Sequence, residues 1–128
     1  MRHTVFVFLL CFPVMLSAAD KPTPVAKARA EVKANMATPE GEAYETQLSD
    51  DFWMSHSEAV TKCVDSSNSS HGSMEVLVRF AKDGSVGEVL VTPGNKTGDC
   101  IRQNLLREKF PPPPKADYWM HIDMQFQK

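Results

Sequence analysis

The alternation of apolar and polar side chains is sharpest in the last third of the chain. Met74, Val76, Val78 and Phe80 alternate with Glu75, Leu77, Arg79 and Ala81, the period-two pattern of a strand with one strongly apolar face. Lys82-Asp83-Gly84-Ser85 reads as a tight turn in which Gly84 takes positive φ without steric cost. Val86 to Thr92 is the return strand, stopped by Pro93-Gly94. Asp99 is placed to cap a helix from Cys100 to about Lys109, with Ile101, Leu105, Leu106 and Phe110 turned inward. Pro111 to Pro114 forbids continuation and forms a stiff extended segment. Tyr118, Met120, Ile122, Met124 and Phe126 then alternate with Trp119, His121, Asp123 and Gln125 as a third strand.

Upstream, the apolar period changes to that of a helix. Thr38-Pro39 is a start signal, with a capping hydroxyl, proline at the first helical position, and Glu40 and Glu42 near the positive helix end. Ala43, Tyr44 and Leu48 form one apolar side of a short helix. Ser49-Asp50-Asp51 is a second start, after which Phe52, His56, Ala59, Val60 and Cys63 recur at helical spacing, flanked by Trp53 and Val64. Ser66 to Gly72 is a polar loop. The Ala- and Lys-rich stretch from Val25 to Ala37 has high helix propensity but few large apolar groups. It reads either as a helix packed lightly on the domain or as a partly disordered lead. The expected layout is a polar, Ala-rich lead over residues 20–37 and a single α+β domain over 38–128, with a three-stranded antiparallel sheet and helices on one face.

Before Asp20 the pattern has no period. Met1-Arg2-His3 is a short basic start, Val5 to Leu16 is apolar apart from Pro13, and Ser17-Ala18-Ala19 supplies small side chains. This is the layout of a secretory signal peptide over residues 1–19, cleaved after Ala19. Its apolar core falls short of the roughly 20 residues that span a bilayer. The expected mature chain is periplasmic, with no membrane insertion once the signal is removed.

Removing nineteen residues from 128 leaves 109, enough for one core and not two. Loss of Arg2 takes the formal charge from −2 to −3, and no basic stripe remains, which argues against nucleic acid as a partner. Of the three cysteines, Cys63 and Cys100 survive cleavage. In an oxidising compartment they have one possible pairing; two separate buried thiols are the alternative. A metal site is disfavoured, because neither has a nearby Cys or His at ligand spacing.

The chain shows no arrangement expected of an active site. His56 lies on the helix stripe and reads as a core-edge residue, and His121 as a solvated one on the outward face of the last strand. His71 beside Ser69 and Ser70 lacks the strained elbow and acidic orienter of a serine nucleophile. There is no phosphate-binding glycine loop. No cofactor is expected, and the chain reads as a non-enzyme.

The stretch from Val76 to Gln127 resembles the C-terminal domain of TolA and TonB, the periplasmic energy transducers, and their TonB-like relatives. The carrying residues are Val76-Leu-Val-Arg-Phe-Ala-Lys-Asp-Gly84, the strand Val86 to Val91, Cys100 on the following helix, Phe110-Pro-Pro-Pro-Pro114 and the terminal alternating strand. The match covers about the last half of the mature chain. The resemblance implies a small sheet packed on helices, no cofactor, and binding to other envelope proteins by strand addition at a free sheet edge. The energy transducers keep a membrane helix and a long spacer, whereas here the expected cleavable signal is followed by a short lead, residues 20–37, before the domain.

Two functions fit such a domain. The first is an immunity protein that inhibits a toxic periplasm-acting enzyme, such as a type VI secretion peptidoglycan amidase. An inhibitor inserts a protrusion whose backbone is already ordered. The expected inserting group is Asn68, Ser69, Ser70 and His71, supported by Lys82 and Asp83 at the neighbouring turn. The alternative is an envelope accessory protein that docks on a transport or assembly complex through its sheet edge.

Overall fold

Strand β1 (Gly72–Phe80) lies between β2 (Val86–Thr92) and β3 (Tyr118–Phe126), antiparallel to both. The computed structural model describes residues 21–67 and 72–126. The expected signal peptide, 1–19, and the expected inserting residues Asn68, Ser69, Ser70 and His71 lie outside the described residues. The alternation in the sequence is the register of the sheet: Val76 sits between Val91 and Ile122, and Val78 between Val89 and Met120. These positions enter one apolar cluster with Leu48, Phe52 and Cys63 of helix α2 (Pro39–Ser66) and Ile101 of helix α3 (Lys96–Leu105). A mixed α+β fold with a three-stranded antiparallel sheet is therefore the architecture of the chain.

The turn between β1 and β2 forms as the sequence dictates. Ala81 N–H donates to the Ser85 carbonyl at 2.9 Å, Gly84 has φ +87°, and the Asp83 carboxylate accepts from the Ser85 N–H and hydroxyl. The Phe110 N–H donates to the Gly84 carbonyl at 2.9 Å, and a Cβ on Gly84 would lie 1.9 Å from the Phe110 oxygen. The turn is thus fastened to the start of the proline run, and only glycine fits between them.

Three expectations are corrected. The sheet is covered on both faces, not one. Helix α1 (Val25–Met36) places Ala28 and Val32 against Leu77 and Trp119, both of which the simple alternation assigned to solvent. Of the two readings of the 25–37 stretch, the helix packed on the domain is the one that forms. Even with high propensity, twelve residues would hold a helix only marginally in water by themselves; burial against this second apolar face, with an Arg29–Glu75 ion pair at 2.6 Å, stabilises it.

The second correction joins two expected helices into one. α2 runs unbroken for 28 residues through Ser49-Asp50-Asp51. Tyr44, Leu48, Phe52, Val60 and Cys63 make one continuous buried stripe across that point, and its burial outweighs the capping preference of Ser and Asp. The upstream cap forms as expected: Thr38 Oγ1 accepts from the Gly41 N–H at 3.1 Å, with Pro39 at the first helical position. Ala43 is exposed, off the stripe.

The third concerns α3, which starts at Lys96 and ends at Leu105. Asn95, not Asp99, is its cap, with Oδ1 accepting from the Gly98 N–H at 2.8 Å. Asp99 adds its charge to the first turn, and Leu106, expected inside, is exposed. Both caps are good ones, and the earlier of them starts the helix.

Cys63, near the end of α2, bonds to Cys100, in the second turn of α3, with Cα atoms 5.6 Å apart and a sequence separation of 37. Constraining a loop of that length in the unfolded chain contributes about 4 kcal/mol in the entropy model. Thiol titration of the native oxidised protein should find no free sulfhydryl among Cys63 and Cys100, and reduction should lower Tm. Cys63→Ala and the double alanine variant should melt together, because either removes the same cross-link; a clear gap between them would contradict the pairing.

Candidate functional site

The site is built on the outer side of β3, which among the described residues pairs with β1 alone. In an antiparallel strand the N–H and C=O of one residue point the same way, and successive residues alternate. The Trp119 carbonyl accepts from the Asn35 side-chain amide at 2.9 Å, so it points away from β1. His121, Asp123 and Gln125 share its parity and turn their backbone groups outward, while Met120, Ile122 and Met124 bond to β1. Asn35 reaches this position because the turn into α2 is tight. Its carbonyl accepts from the Thr38 hydroxyl at 2.9 Å, and a Cβ on Gly41 would lie only 1.9 Å from the same oxygen.

The opposite edge, β2, is blunted. Arg79 faces Glu88 while Phe80 faces Val86, which leaves Gly87 as an extra residue that bulges the strand. Thr23 also donates its N–H and hydroxyl to the Glu88 carboxylate at 2.7 and 2.8 Å, holding the segment before α1 against that side.

Along the β3 edge runs a groove of about 550 Å³. Its strand wall is the consecutive set Met120, His121, Ile122 and Asp123, and its helix wall is Glu42, Glu45, Ser49 and Trp53, spaced three to four apart on one side of α2. Neighbouring strand residues point to opposite faces, so four in succession share one groove only when it views the strand edge-on. Phe52, Met120 and Ile122 provide apolar surface, Trp53 is 39% exposed, and Met36 closes one end from α1. Glu42, Glu45, Asp50 and Asp123 are the charged lining, and no Lys or Arg is among it.

Glu45 is the most buried of these carboxylates, at 7% exposure. The Tyr118 hydroxyl donates to its Oε1 at 3.0 Å and lies 3.3 Å from the Gly41 carbonyl, so a single proton serves two acceptors. Burial holds the Glu45 carboxyl above the usual range, against the opposing pull of the Tyr118 hydrogen bond and the nearby His121. Burial, reinforced by Glu45, also pushes the Tyr118 hydroxyl up. The Tyr44 hydroxyl, which donates to the Pro111 carbonyl at 2.8 Å, is pushed up to about 12 mainly by burial.

On the α1 side of the same edge, His121 Nε2 lies 3.2 Å from Asp123 Oδ1 and 3.4 Å from Glu75 Oε2. These are ion-pair distances without hydrogen-bond alignment. The Arg29 guanidinium holds the Glu75 carboxyl below its usual range. His121, expected in solvent, is instead partly covered and ringed by carboxylates.

Of the expected partner-binding residues, Lys82 and Asp83 are among the described ones. Lys82 and Asp83 are exposed on the β1–β2 turn and do not line the groove. Asp83 is engaged by Ser85, which lowers its pKa. His56 is a core-edge residue as read: its ring stacks between Phe52 and Phe110, with centroids 4.9 and 5.5 Å away. Among the described residues no group of His, Cys, Asp and Glu is arranged to hold a metal ion, and no helix is long and apolar enough to cross a membrane. The sequence reading missed the β3 edge groove. The signal that could have found it is Glu45, a carboxylate set between Tyr44 and Leu48 on an otherwise apolar stripe.

Compared with known proteins, the chain matches no family model, no curated protein and no solved structure.

The burial of Glu45 sets a pH signature. A carboxyl whose folded pKa is raised gives its full stabilisation below the unfolded pKa and loses it as pH rises through the folded value. Glu45→Gln should therefore raise Tm at pH 7, with the gain shrinking toward pH 4. Glu75, with its lowered pKa, acts in the opposite sense: Glu75→Gln should cost stability at pH 7 and little near pH 3. Thermal melts across pH 3–8 check both; a Glu45→Gln variant less stable than the parent at pH 7 would refute the first.

Proposed function

We propose that this chain is a non-catalytic protein-binding domain of the TolA/TonB-like kind. It works in the periplasm as an envelope accessory protein and docks an extended segment of its partner along β3. The observation that carries the reading is the edge-on groove, where Met120 to Asp123 and the Glu42–Trp53 side of α2 line one channel. The outward backbone groups of His121, Asp123 and Gln125 offer main-chain hydrogen bonds to an added strand, and the α2 wall offers side-chain selectivity. Asn35 closes the edge at Trp119 and so limits where such a strand can begin. The immunity reading rests on a protrusion at residues 68–71, outside the described residues, so the edge reading takes precedence.

Asp123→Pro tests it, since proline removes an outward N–H while sparing the ladder to β1. With Asp123→Asn as the charge control, the proline variant should keep its fold, checked by circular dichroism and a cooperative melt, and lose its partner. A photo-crosslinking residue at Gln125 should give a partner adduct in cells, abolished by Asp123→Pro. One at exposed Lys115 should give none. Adducts from Lys82 and Asp83, with none from positions 121–125, would overturn the edge reading.

A further inference from the structure

Resting on that docking reading, we infer that the groove takes a cationic segment: an extended stretch of another protein in which lysine or arginine alternates with apolar residues. A strand added to β3 sends successive side chains to the two faces of the sheet. On the α2 face they meet Phe52, Met120 and Ile122, with Glu42, Glu45 and Asp50 beside them. On the α1 face they meet Asp123, next to Glu75 and His121. The lining carboxylates thus stand on both sides of the incoming strand; on the α1 side Glu75 is already paired with Arg29 and Lys33 lies nearby, so the preference rests on Glu42, Glu45, Asp50 and Asp123. An anionic segment would add like charge to four carboxylates; a cationic one neutralises them.

Glu45 points to the same occupant. It is buried and, among the described residues, has Tyr118 as its one hydrogen-bond donor. A buried carboxylate with a single neutral donor is poorly compensated, and a lysine or guanidinium group entering the groove would supply what it lacks. Trp53, partly exposed on the same wall, offers an indole face on which a guanidinium can stack. The apolar floor explains why a free polyamine or a single cation is a poorer fit than a segment that also carries apolar side chains.

The test uses the oxidised protein and three nine-residue peptides in which valine alternates with lysine, serine or glutamate, titrated by calorimetry. The lysine peptide should bind about tenfold or more tighter than the serine peptide, with the glutamate peptide weakest. Raising the salt should shrink the lysine advantage. The double variant Glu42→Lys, Asp50→Lys should reverse the preference, so that the glutamate peptide binds tighter than the lysine peptide. Asp123→Pro should weaken all three, whereas Asp123→Asn should reduce only the advantage of the lysine peptide.

Equal binding of lysine and serine peptides, both lost in Asp123→Pro, would overturn the charge assignment and leave the docking reading standing. Lysine-peptide binding undiminished by Asp123→Pro would overturn the docking reading itself. No peptide binding, together with a dimer that Asp123→Pro dissociates in sedimentation, would assign the edge to a second copy of this chain and overturn the proposal.

Discussion

The central strand β1 is apolar on both faces, and that constraint organises the molecule. Val76, Leu77 and Val78 are each at most 1% exposed. Burying them needs a hydrogen-bonded strand on each side and a layer on each face, because an unpaired backbone group in the interior costs as much as a lost hydrogen bond. β2 and β3 supply the pairing, α2 with α3 cover one face, and α1 covers the other.

The open edge follows from the same arrangement. A three-stranded sheet has two edges, and both cannot be hidden by three helices already spent on its faces. The β2 side is bulged at Gly87 and held by Thr23 on Glu88. On the β3 side, Asn35 takes the outward carbonyl of Trp119. α2 is long enough to run past the strand, and its acidic flank beside β3 turns an unpaired edge into a channel with chemical character. An exposed edge is ordinarily an aggregation hazard; here the carboxylates at Glu42, Asp50 and Asp123 discourage pairing with an apolar or anionic strand and leave cationic ones admissible.

The disulfide and the Gly84–Phe110 contact fasten opposite ends of the fold: Cys63 and Cys100 lie towards the start of β1 and the end of β2, and Gly84 lies at the turn that joins those strands. One ties α2 to α3, and the other fastens the β1–β2 turn to the entry of the proline run. Both lie away from the groove lining, so the most constrained part of the fold and the part free to accept a partner are separate regions of one domain.

The strands, the Lys82–Ser85 turn, the Thr38 cap and the Cys63–Cys100 pair were legible in the sequence, because each rests on local chemistry: side-chain alternation, a glycine at positive φ, a hydroxyl before proline, two thiols with one pairing. What the sequence could not decide was where local preferences compete with distant packing. Ser49-Asp50-Asp51 is a respectable helix start, yet the buried stripe from Tyr44 to Cys63 carries α2 through it. Leu77 and Trp119 looked outward until α1 covered them. The β3 groove depends on strand order, on which way alternate carbonyls point and on how far α2 extends. Those properties belong to elements far apart in the chain, and only the tertiary structure decides them, because no local pattern records which edge of a sheet is left without a neighbour.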